Sequence, residues 1–135
     1  MLLAILYIPP KTTKIPQWMI SISNYTDNSK LGLLIVGDFN AHSPLWGEAQ
    51  TKSNKCGELL EELIITKNLN LHNIGYVPTF RNSRDYTSCA DLTLSYKFPF
   101  IIQDWRVHNH ELNYSDHNTI LSLLTPTYAL LSTMA

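Results

Sequence analysis

Residues 33–42 read Leu-Leu-Ile-Val-Gly-Asp-Phe-Asn-Ala-His, a short apolar run that stops at a glycine followed by an acid and an amide. Such a run predicts a buried strand over 31–36. Strand side chains alternate between faces, so Asp38 and Asn40, two positions apart, point the same way at its C-terminal lip. That arrangement delivers polar groups to the rim of a hydrophobic sheet. Gly37 permits a sharp turn or a close approach, and Phe39, pointing the opposite way, is placed to anchor the turn in the core. Alone, the pair reads equally well as a strand-end turn whose side chains satisfy backbone donors.

The rest of the chain is consistent with a folded setting for that strand. Its 135 residues suffice for one domain with a real core. A hydrophobic share of 44% against 16% charged excludes a disordered chain, and three Trp, seven Tyr and four Phe supply bulky core material. The net charge of −1 gives no overall basic field, so a polyanion partner needs a local basic strip or a bridging metal. Cys56 and Cys89 are far apart and lack a CxxC pattern, which argues against a structural zinc site, leaves a disulfide unsupported and fits a reducing compartment. Residues 1–10 (MLLAILYIPP) have no basic leader or small-residue cleavage site and read as a strand rather than a signal peptide. The apolar stretch 128–135 is too short to span a bilayer.

Around the central strand, residues 2–8 form a continuous apolar run expected to be covered on both faces. Trp18, Ile22 and Tyr25 recur at helical spacing and predict an amphipathic helix over 15–25, after Pro16. Residues 57–68 give the clearest helix, with Leu59, Leu60, Leu63 and Ile64 on one face and Glu58, Glu61, Glu62 and Lys67 on the other. Short strand character at 69–71, an alternating strand over 87–96 containing Asp91, and two further strands at 101–107 and 119–124 complete an α/β unit. No repeat, linker or low-complexity stretch interrupts it.

Three polar clusters then stand at strand ends: Asp38 with Asn40, Asp91, and Asp116 with His117. Singly, each is explained by turn capping or a solvated imidazole. The ordered set GDFNAH, PTF, DLTLS and SDH resembles the C-terminal part of the endonuclease/exonuclease/phosphatase superfamily. Within it, the chain looks like the apurinic-endonuclease-type domain of non-LTR retrotransposons. LYIPP, GELLEELI and DWRV are similar to that family's intervening strand, helix and strand, so the resemblance covers residues 1–124, with 125–135 left as a short tail. It implies an α/β fold: the C-terminal part of a four-layer α/β/β/α sandwich, two packed and mostly antiparallel sheets flanked by helices.

The resemblance also implies roles. Asp38 would orient or deprotonate the attacking water, helped by Asn40 at the scissile phosphate; His117 would donate to a phosphate oxygen and Asp91 would hold its ring. Asp116, with Asp38, falls at a metal-associated position, Tyr7 at a phosphate-contacting one, and Thr79 would add a supporting hydrogen bond to substrate. Clustered carboxylates recruit Mg²⁺, or Mn²⁺, which offsets their charge and that of a phosphodiester. The implied partners are DNA and a reverse transcriptase domain in a parent polyprotein, with a nuclear site of action where genomic DNA is the target.

Compared with the family, the chain opens at the Tyr-Pro strand, so an upstream Asn and the principal metal-binding Glu have no counterpart. Glu48, Glu58, Glu61 and Glu62 do not occupy that position. The expectation is a domain truncated at its N-terminus: a half-site with an incomplete metal centre, weak or absent catalysis, and an exposed sheet prone to self-association. The alternatives are a non-catalytic interaction module and a superfamily phosphatase acting on another phosphate ester. Lys11, Lys14, Lys52, Lys55, Arg81 and Arg84 are expected in loops, either approaching DNA or simply scattered over the surface.

Overall fold

The structure is a computed structural model describing residues 1–11, 14, 16–74, 76–108 and 115–127. Strand β1 (Leu2–Tyr7) is followed by helix α1 (Gln17–Asn28) and strand β2 (Leu33–Asp38), which pairs parallel to β1. A parallel pair requires a crossover, and α1 supplies it. Helix α2 (Lys55–Thr66) leads to the two-residue β3 (Asn70–Leu71), then to a small hairpin of β4 (Phe80–Arg81) and β5 (Thr87–Ser88). Strand β6 (Asp91–Tyr96) enters the first sheet antiparallel to β2, giving the order β1-β2-β6-β3. Strands β7 (Phe100–His108) and β8 (Thr119–Pro126) form a separate antiparallel ribbon. The mixed α/β arrangement with mostly antiparallel pairing is the fold class expected from the sequence. Among the described residues, no helix is long and apolar enough to cross a membrane. The expected tail lies outside the described residues from position 128 onward.

The helices pack on one face of the four-stranded sheet. Met19 and Ile22 of α1 and Cys56, Leu60 and Leu63 of α2 meet Leu33, Ile35, Leu92 and Leu94, with Phe39, Ala41 and Trp46 closing the core beyond the lip of β2. The spacing of these helical residues is the three-and-four pattern of an apolar stripe. Helix α2 begins two residues earlier than expected because Asn54 caps it: its Oδ1 accepts from the Gly57 N–H at 2.8 Å.

Two expectations are corrected. The run at 2–8 is not covered on both faces: β1 is an edge strand, with Ile5 75% and Tyr7 70% exposed. Among the described residues, the β7–β8 ribbon faces the other side of the sheet at β2 and β6, where Ile102, Ile120 and Leu124 line a cleft of about 410 Å³ with Leu34, Val36 and Thr93. The indole N–H of Trp105 on β7 donates to Thr93 Oγ1 at 3.1 Å and ties the two layers. Likewise, the single strand expected over 87–96 is two. Thr87–Ser88 pairs with β4, the chain steps across at Cys89 and Ala90, and Asp91 opens β6 in the other sheet.

Candidate active site

Register alone brings the acids together. Asp38 is the last residue of β2 and lies opposite both Tyr7 on β1 and Asp91 on β6. Directly paired residues share a face, so Tyr7, Asp38 and Asp91 form one rank across three strand ends. Gly37 makes this edge possible: a Cβ there would lie 1.9 Å from the Leu6 carbonyl oxygen. Without that side chain, β1 and β2 approach until the Ile8 N–H reaches the Asp38 carbonyl at 2.9 Å.

His117 joins the rank from a distant part of the sequence. It bridges antiparallel to Phe80, and on either side the Arg81 N–H donates to Asp116 O at 2.9 Å and the Asn118 N–H to Thr79 O at 2.7 Å. The imidazole lies edge-on to the Phe80 ring, with centroids 5.1 Å apart. Its Nδ1 stands 3.0 Å and 2.9 Å from the two oxygens of Asp91. An ionised carboxylate only accepts, so Nδ1 carries the proton and donates, leaving Nε2 turned toward Asp38 Oδ2 at 3.7 Å.

Asp91 is itself held from behind. Thr79, fully buried, donates its hydroxyl to Asp91 Oδ2 at 2.6 Å and accepts from the Asp91 N–H at 3.2 Å. Its place is thus behind the carboxylate rather than at the open face where a substrate would lie. Asn73 does for the backbone what β3 is too short to do: its Nδ2 donates to Asp91 O and its Oδ1 accepts from Thr93 N–H, both at 2.9 Å.

The loop after Asp38 is equally constrained. Asp38 Oδ1 accepts from the Asn40 N–H at 3.0 Å, and Asn40 takes a left-handed backbone conformation with φ 44°. The Asn40 side chain donates to Ile8 O at 2.6 Å, which spends one amide proton on the end of β1. Asn54 pins the same loop, accepting from the His42 N–H at 2.9 Å and donating to Asn40 O at 2.9 Å. Sequence reasoning missed Asn54 and Asn73. An asparagine three residues before Gly57 was the available signal for the first, through its N-cap preference; Asn73 had none.

Burial is the main reason the Asp38 carboxyl titrates above its ordinary value of 3.8. The Asn40 N–H opposes the shift, Asp91 repulsion adds to it, and His117 and His42 oppose it. Asp38, Asp91 and His117 offer ligand atoms that all lie within 4.8 Å of one another. Two carboxylates held face to face in partial burial fit a hard divalent cation, which relieves their repulsion. The set is thin, however: Nδ1 and both Asp91 oxygens are engaged, and Asp38 Oδ2 with His117 Nε2 remain for a ligand. Asp116 is exposed and stands outside the trio. Of the basic residues expected in loops, Arg81 lies in β4 and pairs with Asp85 at 3.4 Å, and Lys55 opens α2 beside Glu58 at 3.7 Å.

No curated protein matches the sequence. Among solved structures, the endonuclease domain of TRAS1, a telomere-specific non-LTR retrotransposon, is similar at 28% identity and a TM-score of 0.72. The match covers 89% of this chain and 54% of that one, so the chain spans about half the length of its structural relative. The family described as endonuclease-reverse transcriptase matches residues 1–121. With a nuclease-domain fold, an Asp–His–Asp lip and a family match through nearly its whole length, the chain belongs to the endonuclease-reverse transcriptase family.

Proposed function

We propose that the chain hydrolyses DNA phosphodiesters as an endonuclease, slowly and with Mg²⁺ or Mn²⁺. The observation that supports this most is the Asp91–His117–Asp38 line, in which one carboxylate orients an imidazole whose other nitrogen faces a second, partly buried carboxylate.

Hydrolysis needs a water aimed at phosphorus, charge neutralised on the phosphoryl oxygens and stabilisation of the leaving oxygen, which takes its proton from solvent. Asp38 orients the water and accepts its proton; a carboxyl whose proton affinity is raised by burial is a better base than an exposed one. Asn40, with its second amide proton, and Tyr7, level with Asp38 on β1, bind phosphate oxygens. His117, its ring oriented by Asp91, presents Nε2 to a phosphate oxygen and hydrogen-bonds it. Thr79 keeps Asp91 aligned and stays away from substrate. A divalent cation held by Asp38, with Asp116 at the rim, would neutralise phosphoryl charge and stabilise the leaving oxygen.

Few donor atoms in the trio remain unused, so cation affinity is weak and turnover is low. The exposed face of β1, with Leu3, Ile5 and Tyr7, supports self-association as a second property, and sedimentation velocity across concentrations tests it. A reverse transcriptase region in the same polyprotein and a nuclear site of action belong to the same reading. The catalytic proposal is tested by relaxation of supercoiled plasmid over a Mg²⁺ and Mn²⁺ series. Nicking that saturates only at millimolar cation and stops with EDTA supports it; nicking unaffected by EDTA overturns it.

A further inference from the structure

Four residues of the catalytic lip, Asp38, Asn40, His42 and His117, line one small cleft of about 90 Å³. That is the volume of about three water molecules, room for one phosphate group. His42 also lines a wider groove of about 310 Å³ that runs on between the loop after Ala41 and the segment 76–89, so it stands where the two meet. We propose that His42 binds a second phosphate, the one next to the scissile phosphate on the same strand. The inference rests on the phosphodiesterase reading above and adds a substrate-positioning residue to it.

The backbone of His42 is clamped. Its N–H donates to Asn54 Oδ1 at 2.9 Å and its carbonyl accepts from the Asn54 N–H at 3.1 Å. Gly57 lets the start of α2 close on it, because a Cβ there would lie 2.0 Å from the His42 carbonyl oxygen. With both main-chain groups spent, the side chain springs from a fixed point on the rim. Among the described residues, no hydrogen bond engages its ring.

An imidazole carries at least one N–H in either charge state. His117 spends its Nδ1 proton on Asp91, whereas His42 keeps its donor for an acceptor outside the described chain. Burial raises the proton affinity of Asp38, and His42 is among the charges that oppose the rise, so the two act on each other across the lip. Neither lysine nor arginine lines the small cleft, which leaves the two imidazoles as its cation-forming donors. In the groove beyond, Lys52 is offset by Glu48. A nucleic acid strand presents a phosphate at every nucleotide. With the scissile phosphate on Asn40, Tyr7 and His117, the next one toward the groove meets His42, whose N–H is matched to an anionic oxygen.

The test uses small ligands that differ by one phosphate: thymidine 3′,5′-bisphosphate and the 3′- and 5′-monophosphates of thymidine. Each is titrated into the chain with Mg²⁺ present, and the ring signals of His42 and His117 are followed by NMR. The bisphosphate should shift both rings and bind about tenfold tighter than the better monophosphate, the gain expected of one hydrogen bond to a charged group. His42→Ala should bring that ratio down to about one, while His42→Gln, which keeps an N–H donor, should retain part of it. Melting temperatures of both variants should match that of the unaltered chain, since the His42 ring makes no hydrogen bond among the described residues.

Equal affinity for the bisphosphate and the monophosphates, or a ratio unchanged in His42→Ala, overturns the second phosphate contact. The His117 signal separates the two claims. A monophosphate that shifts the His117 ring, with no gain for the bisphosphate, removes only the His42 contact; if none of the three ligands shifts either ring, the proposed function falls with it.

Discussion

Asn54→Ala removes three hydrogen bonds that converge on the catalytic loop from the start of α2. The lost contacts are Oδ1 to the N–H groups of Gly57 and His42 at 2.8 Å and 2.9 Å, and Nδ2 to Asn40 O at 2.9 Å. Loss of a helix N-cap costs about 1 kcal/mol. The other two bonds contribute about 1 kcal/mol each, so the total is about 3 kcal/mol. For a chain of this size that corresponds to a fall in melting temperature of about 10 °C. Asn54→Asp keeps both acceptor contacts and places a negative charge at the helix N-terminus, so its loss should be about 1 kcal/mol, from the bond to Asn40 O. Thermal melts followed by far-UV circular dichroism on the two variants measure this directly. Melting temperatures for Asn54→Ala within about 3 °C of the unaltered chain, or identical losses for the two variants, would refute the claim that this side chain ties the loop to the helix.

Three further outcomes are expected. Asp38→Asn should stabilise the fold at neutral pH. The folded carboxyl titrates above 3.8, so its stabilising contribution is complete below that pH and is lost as pH rises through the folded value; the gain on substitution should therefore grow as pH rises above 3.8 and level off once the folded carboxyl is ionised, in a melting series. Thr79→Val preserves volume but removes the donor to Asp91 Oδ2. A hydrogen bond to a charged group is worth about 1.5–3 kcal/mol, so plasmid nicking should slow at least about tenfold while Thr79→Ser retains most activity. Gly37→Ala would drive a methyl into the Leu6 carbonyl, so β1 should separate from β2, read as lost hydrogen-exchange protection of the Ala4 and Leu6 amides, which face β2, with protection of Leu92 and Leu94 kept.

Much of the site was legible because its chemistry sits at strand ends. The apolar run at 33–36 announced a buried strand, and the period of two put Asp38 at its lip; the partner of that lip, Asp91, was marked by its motif alone. What the sequence withheld is pairing across distance. Nothing local says that Asp38 lies opposite Asp91, that the strand from 87 changes sheets at Cys89, or that Thr79 turns its hydroxyl onto a carboxylate twelve residues ahead. The exposure of β1 was hidden for a related reason: an apolar run reads the same whether one face or both are covered, and coverage depends on how far the β7–β8 ribbon extends.

The central claim is that Asp38, Asp91 and His117 act together on a phosphodiester. Its most direct test is the rate of nicked-circle formation from supercoiled plasmid at saturating Mn²⁺ for the unaltered chain, Asp38→Asn, Asp91→Asn and His117→Ala, each purified identically. The account predicts slow nicking by the unaltered chain and a loss of at least about a hundredfold in each variant, in line with removal of a general acid or base. Rates for the variants equal to that of the unaltered chain would contradict it.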